Sequence, residues 1–277
     1  KKINFKRITE LLKKSKKPLV VVGNGCLVSD SIKDVKKFIK KNKIPYTASW
    51  AALHLFSSSD RLNAGSFGVA ATRYGNFAIQ KADLIIFLGT RLSTQMIGGN
   101  LSTFAPYAKK ILVDIDKEEF TNHRLPNVKL KINCDVKRFL INLNKIKLIK
   151  KTNFINDWIK EINNLKKNYP VLGKNNLINE KFVDPYYFFE KFYLNIKKDS
   201  IVIPDASANL IWAYQTLKTN NNPFMFTAFN HSPMGYSLAA SVGAYFGSKN
   251  NKVYALIGDG SVPMNVQQLE TIKNYNI

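Results

Sequence analysis

Five short apolar runs in this chain stop abruptly at glycine or aspartate, and that pattern limits the folds open to it more than any other feature. They are PLVVVG (18–23), ADLIIFLG (82–89), KKILVDID (109–116), SIVIPD (200–205) and KVYALIG (252–258). Each is too short for a buried helix and lacks polar alternation, so each reads as a strand covered on both faces, as in a parallel sheet. Segments with helical spacing lie between them. SDSIKDVKKFIKKN (29–42) places Ile32, Val35, Phe38 and Ile39 on one face with Ser29 or Asp30 as the cap. TRYGNFAIQKA is a weaker helix, and DVKRFLINLNKI carries Val136, Phe139, Leu140 and Leu143 at helical spacing. A second series follows: DPYYFFEKFYLNI (184–196), where Asp184 can cap and Pro185 suits the first turn, then ANLIWAYQTL, GYSLAASVGAYFG (235–247) and PMNVQQLETIKNY (263–275), with a short strand near FTAF (226–229). The expected fold class is α/β, with two parallel-sheet three-layer domains. The first, Rossmann-like, covers 1–148; 149–183 is an Asn/Lys-rich linker holding one amphipathic helix around Phe154, Trp158 and Ile162; the second domain covers 184–277.

Composition removes several function classes. At 277 residues the chain can hold two cores, and no apolar run approaches the roughly 18–20 residues that span a bilayer. The opening KKINFKRITELLKKSKK contains no uninterrupted apolar segment of the kind a signal peptide needs. Cys26 and Cys134 sit in unrelated patterns and read as buried thiols of a reducing, cytoplasmic compartment. A formal charge of +23 invites a nucleic-acid reading, but only six of the 42 basic residues are arginines and the lysines spread over helix faces. Neither a nucleic acid nor a membrane is expected as a partner.

The stretch VYALIGDGSVPMN (253–265) sets a lone carboxylate, Asp259, between Gly258 and Gly260 where a buried strand ends and a helix begins. Glycines there allow close approach of an anion, the amides of Gly260 and Ser261 face outward at a helix start, and one Asp beside phosphate oxygens suits Mg²⁺. The turn is either a metal-bridged diphosphate site or a tight turn whose Asp259 caps the next helix. Because short right-handed crossovers keep neighbouring loops on one sheet edge, FNHSPMGYSLAASVGA (229–244) and PDASANLIW (204–212) are expected beside it, bringing Met234 and Asn209 to the same cleft.

With SPMGYSLAASVGAYFG ahead of VYALIGDGSVPMNVQQLETI, the chain resembles thiamine-diphosphate-dependent enzymes, in particular the acetolactate synthase-like family. NFAIQKADLIIFLGTRLSTQ, FAPYAKKILVDIDKEEF and INCD are similar to that family's central domain in order and spacing. The resemblance implies a central domain followed by a thiamine-diphosphate-binding domain that is incomplete at its C-terminus. It implies that Asp259 binds Mg²⁺, that Gly258, Gly260, Ser261 and Ser232 lie at the diphosphate, and that Met234 is the apolar wedge holding the cofactor bent. Ala206, Ser207, Ala208 and Asn209 fall in a family loop that normally carries a glycine, a glutamine and a histidine, so this loop departs from the pattern. The second metal-ligating asparagine and the catalytic glutamate are expected outside these 277 residues, with no catalytic residue inside them. A chain of this kind is expected to act as a homodimer or homotetramer whose site a partner subunit completes, and to be inactive alone.

Such relatives also hold FAD in the central domain, and Gly23, Gly25, Gly89, Arg91, Asp114 and Asp135 stand at the matching places. Ala70 replaces a histidine usual in flavin-binding relatives, and Ser93 an aspartate. Arg91 therefore has two candidate roles, a partner for a flavin diphosphate or an interdomain ion pair. The activity implied is decarboxylation of a 2-oxo acid such as pyruvate with carboligation to a second carbonyl, a 2-oxo acid or keto-sugar. Simple decarboxylation and a non-catalytic nucleotide-binding or assembly module are the alternatives.

Overall fold

A computed structural model describes residues 3–121, 125–146, 148, 152–173, 181–248 and 251–277; part of the segment read as a linker, 174–180, lies outside the described residues. The chain divides into two compact units, Lys1–Leu53 with Ser59–Pro170, and His54–Ser58 with Val171–Ile277.

The first unit is built on six parallel strands: β1 (Pro18–Val22), β2 (Tyr46–Ala48), β3 (Asn63–Ser66), β4 (Leu84–Leu88), β5 (Lys109–Asp114) and β6 (Val128–Asn133). Their order is β3-β2-β1-β4-β5-β6, so the direction of winding reverses between β1 and β4. These two pair from Pro18 with Leu84 to Val22 with Leu88, and every residue of both is buried, as unbroken Val/Ile/Leu runs require. The amphipathic helices Ile32–Asn42 and Val136–Lys145 bury the faces their spacing predicts, Ile32 itself being half-buried, and a helix not read from the sequence, Phe5–Lys14, buries Ile8, Leu11 and Leu12. Thr152–Asn168, the helix read as part of a linker, belongs to this unit: Trp158 is buried and its indole N–H donates to Pro18 O at 3.0 Å. Lys110 on β5 is also buried, and its ammonium donates to the carbonyls of Ala105 (2.7 Å), Ala108 (3.2 Å) and Pro126 (2.9 Å). Burial lowers its pKa to about 8.

The second unit carries β7 (Ile201–Pro204), β8 (Phe224–Met225) and β9 (Val253–Leu256), parallel and in the order β8-β7-β9. Helices Pro185–Asn195, Ala208–Gln215, Tyr236–Gly247 and Gln268–Asn274 flank them in sequence. Asp184 caps the first of these through Tyr187 N (3.1 Å), with Pro185 in its first turn.

Three local expectations are corrected. The helix expected over 29–42 starts at Ile32 with Ser31 at its cap position, because Asp30 takes a left-handed φ of 50° and its carboxylate pairs with Lys137 at 2.7 Å. The strand near FTAF lies earlier, at Phe224–Met225; the chain then leaves the sheet through Phe229, at φ 23°. The helix expected over 263–275 is split into a 3-10 turn at Val262–Asn265 and a helix at Gln268–Asn274, since Asn265 is drawn sideways to Gly235 O (3.1 Å). Cys26 is buried and Cys134 half-buried, both as free thiols. Among the described residues no helix is long and apolar enough to cross a membrane.

Candidate diphosphate and metal site

Parallel pairing of β7 with β9 sends residues 205–209 and 257–262 out at the same sheet edge. The sequence reading missed the residue that fastens them together. Asp205, at the end of β7, is 0% exposed; one carboxylate oxygen accepts from Gly235 N at 3.0 Å and the other from Ser237 N at 3.0 Å. The Ser261 hydroxyl and the Ala206 amide also act on it to lower its pKa. Burial alone would push this carboxyl up, but the amides of Ser237 and Gly235, with Ser261 and Ala206, outweigh it and hold its pKa below the ordinary carboxylate value. Three loops thus share one buried anion. A carboxylate closing a strand whose neighbours end in Gly-rich turns was the available signal, masked because SIVIPD reads equally well as a strand with an ordinary polar stop.

Gly235 is required where it stands. It has φ 85°, and a Cβ there would lie 2.8 Å from Asn265 Nδ2 and 3.0 Å from Ser261 O. Asn265, also absent from the sequence reading, donates to Gly235 O. The loop before the helix and the turn after β9 are therefore fixed against each other through Asp205 on one side and Asn265 on the other.

On this frame the structure brings most of the expected residues together. Met234 is 48% exposed, and its terminal methyl lies 3.7 Å from where a Cβ on Gly260 would stand. Asn209 Nδ2 lies 3.7 Å from the corresponding point on Gly258. Asp259 between them is exposed; one of its oxygens accepts from Gly260 N at 2.8 Å, and among the described residues it has no ion-pair partner. It does not cap the following turn, whose cap position, Ser261, makes no side-chain cap bond. Ser261 is buried, with its hydroxyl on Asp205 and its amide on Gly258 O at 3.0 Å.

The 206–209 loop contributes backbone more than side chains. Ser207 holds φ 65° and ψ −143°, a conformation glycine favours, in the loop where the resemblance implies a glycine. Ala206 and Ala208 bring no polar side-chain atoms. The Ser232 hydroxyl donates to Phe229 O within its own loop, and Ser232 also has a left-handed φ, 40°. Among the described residues no three His, Cys, Asp or Glu side chains gather for a metal. A cation held by Asp259 would take its other ligands from phosphate and water, which is the habit of Mg²⁺. The glycine backbone, the exposed carboxylate and the flanking methionine fit a metal-bound diphosphate; the amides of Gly260 and Ser261 are bonded within the turn itself, to Asp259 and Gly258 O, and Ser261, expected at the diphosphate, faces inward.

The six residues expected at FAD do not fit it. The amide of Gly23 donates to Leu88 O (2.9 Å) and that of Gly25 to Gly89 O (2.9 Å), so neither is free for a phosphate. A Cβ on Gly23 would fall 2.1 Å from Gly89 O, and one on Gly25 2.8 Å from Gly89 Cα; these glycines let β1 and β4 end in contact. Asp114 accepts from Asp116 N at 3.0 Å, and Asp135 caps the helix Val136–Lys145 through Arg138 N at 2.9 Å. Arg91 pairs with Glu119 at 2.7 Å and Asp116 at 3.8 Å. Both partners lie in its own unit, which also corrects the interdomain ion pair. The adjoining cleft, of about 580 Å³, is lined by Asp116, Glu118 and Glu119 against the single cation Arg91, an unfavourable place for a second diphosphate.

Residues 5–143 match the family model described as "Thiamine pyrophosphate enzyme, central domain", and 205–277 match "Thiamine pyrophosphate enzyme, C-terminal TPP binding domain". Acetolactate synthase 1, chloroplastic, of Nicotiana tabacum is 30% identical over 276 residues, which is 99% of this chain and 40% of that protein. The acetolactate synthase large subunit of Pyropia yezoensis is 29% identical over 269 residues, 97% of this chain and 45% of its own length. The probable acetolactate synthase large subunit of Methanococcus aeolicus is 28% identical over 287 residues, 99% and 47% respectively. The chain thus spans less than half the length of these relatives. With one family model covering half of the chain and the second beginning at Asp205 and running through the Gly258–Ser261 turn, the chain belongs to the thiamine pyrophosphate enzymes.

Proposed function

We propose that this chain is part of an acetolactate synthase-like carboligase that uses thiamine diphosphate and Mg²⁺ to decarboxylate a 2-oxo acid, pyruvate, and join the remaining two carbons to a second carbonyl, a 2-oxo acid or keto-sugar. The observation that carries it is the convergence of Met234 and Asn209 on the Gly258-Asp259-Gly260 turn, with Asp259 exposed and unpaired. When bound, the cofactor supplies carbanion stabilisation for the decarboxylation and the new carbon–carbon bond.

The chain's own residues supply position. Asp259, whose carboxylate accepts from Gly260 N at 2.8 Å, would hold the metal, and the Gly260 amide would be the donor nearest a diphosphate there. Met234, half-exposed beside Gly260, is the apolar support against which the organic part of the cofactor rests. Asn209 offers an amide beside Gly258. We assign the proton-transferring glutamate and the rest of the substrate pocket to a partner subunit in a homo-oligomer. Support comes from the family match over the turn and from relatives that are named acetolactate synthases.

The test is product analysis with the assembled enzyme. Pyruvate with Mg²⁺ and thiamine diphosphate is expected to give carbon dioxide and a carboligated product. Free aldehyde as the lasting product, with second carbonyls present, would make it a simple decarboxylase; no Mg²⁺-dependent consumption of any 2-oxo acid would remove the proposal.

A further inference from the structure

The natural seat for an anion on this edge is the first turn of the helix Tyr236–Gly247, where a long helix offers unpaired N–H groups and the positive end of its dipole. That seat is taken. Asp205 accepts from the amides of Gly235 and Ser237, each at 3.0 Å, and is shut away from solvent. Both of its oxygens are engaged, one by each of these amides, so the carboxylate is held across the start of the helix. The Asp205 amide donates to Leu256 O at 2.8 Å, and Ser261 O lies 3.0 Å from where a Cβ on Gly235 would stand, so this fixed charge is a close neighbour of the turn that presents Asp259. An incoming diphosphate therefore meets two carboxylates, one immovable and one exposed. A buried charge is little screened by salt, so its repulsion persists at physiological ionic strength.

We propose that Asp205 makes diphosphate binding at this edge depend on the metal: it denies a bare anion the helix, and it repels one at the 258–262 turn until a cation held by Asp259 has neutralised it. The inference rests on the diphosphate reading of that turn and adds the residue that sets its selectivity. Asp205 acts through Gly235, Ser237 and Ser261 and is a positioning and selectivity residue; it touches no reacting atom.

Inorganic pyrophosphate is the probe, titrated by calorimetry into the protein with and without Mg²⁺. The wild type is expected to bind it with the metal and about tenfold or more weakly without. Asp205→Asn removes the charge and keeps one acceptor oxygen; it is expected to strengthen metal-free binding and so narrow that ratio several-fold. A loss in equal proportion under both conditions would make Asp205 purely structural and overturn the proposal.

A second measurement needs no variant. In amide hydrogen exchange on the wild type, Mg²⁺-pyrophosphate is expected to slow residues 258–262 and leave Gly235 and Ser237 unchanged, and new protection at those two would equally overturn it. Equal affinity with and without metal removes this inference alone. Failure to bind at any Mg²⁺ concentration removes the diphosphate reading and this inference together.

Discussion

The edge after β1 and β4 and the edge after β7 and β9 carry nearly the same letters, glycines and aspartates closing parallel strands, buried except for the half-buried β9, yet they are opposite in chemistry. In the first unit the amides of Gly23 and Gly25 are bonded to Leu88 and Gly89 carbonyls, Asp135 caps a helix, and Arg91 is held by Glu119 and Asp116. In the second, Asp205 gathers the internal donors into one buried cluster, and Asp259 is left exposed with only its own neighbour's amide. The lesson is that the same Gly/Asp letters can be consumed by internal partners at one strand end and leave a carboxylate, Asp259, exposed at another.

The sharpest way to break this contrast is to add one methyl group at each edge. Gly23→Ala sets a Cβ 2.1 Å from Gly89 O, a backbone atom that cannot move aside, and is expected to cost more than about 3 kcal/mol in thermal or urea unfolding. Gly258→Ala meets only the Asn209 amide at 3.7 Å and is expected to change stability by less than about 1 kcal/mol. Equal costs would show that both glycines serve packing.

Loss of ligand comes next. Asp259→Ala is expected to weaken Mg²⁺-dependent binding of thiamine diphosphate by about a hundredfold, roughly 2.7 kcal/mol, in calorimetry, with no shift in the melting temperature. FAD titrated into the same protein is expected to show no saturable quenching of flavin fluorescence, because the matching residues of the first unit are committed internally. Stoichiometric FAD binding would erase the contrast between the edges.

The two strand-end carboxylates, Asp205 buried and Asp114 half-buried, sharpen it further, since burial and the charges of Glu119 and Asp116 push Asp114 up whereas hydrogen bonding, led by the amides of Ser237 and Gly235, keeps Asp205 down. A depressed carboxyl contributes stability that is present above its unfolded pKa and lost as pH falls through its folded one. A raised carboxyl does the reverse: its ionised form costs stability above the folded pKa, and acid relieves that cost. Asp205→Asn is therefore expected to lower stability at neutral pH by about 1–3 kcal/mol and to flatten the acid limb of the stability curve. Asp114→Asn is expected to be neutral or stabilising at the same pH. Denaturant midpoints between pH 3 and 7 check both, and an acid limb unchanged in Asp205→Asn would refute the linkage. The smallest effect belongs to Ser207→Gly, expected to stabilise by about 1 kcal/mol, the strain at φ 65° less the added freedom of glycine in the unfolded chain.

The strands of both sheets that the apolar runs marked lie where the residues placed them, because a run such as PLVVV has no exposed face in any other arrangement. The short strands β2 and β3 were not legible: YTA and NAGS carry too few apolar residues to stand out, and they are strands because β1 offers β2 an edge and β2 in turn offers one to β3. At the site, Gly258, Asp259, Gly260 and Met234 were legible from local chemistry and from the resemblance. Asp205 was not, since its partners Gly235 and Ser237 are 30 and 32 residues away.

What the sequence determined by itself, then, is the alternation of buried strands with amphipathic helices and the family whose motifs end those strands; both are properties of neighbouring residues. Tertiary structure alone decided which strand ends are closed upon themselves and which one stays open. That choice depends on whether each amide and carboxylate finds a partner across tens of residues of chain, and hydrogen bonds at that separation exist only once the sheet has placed its loops side by side.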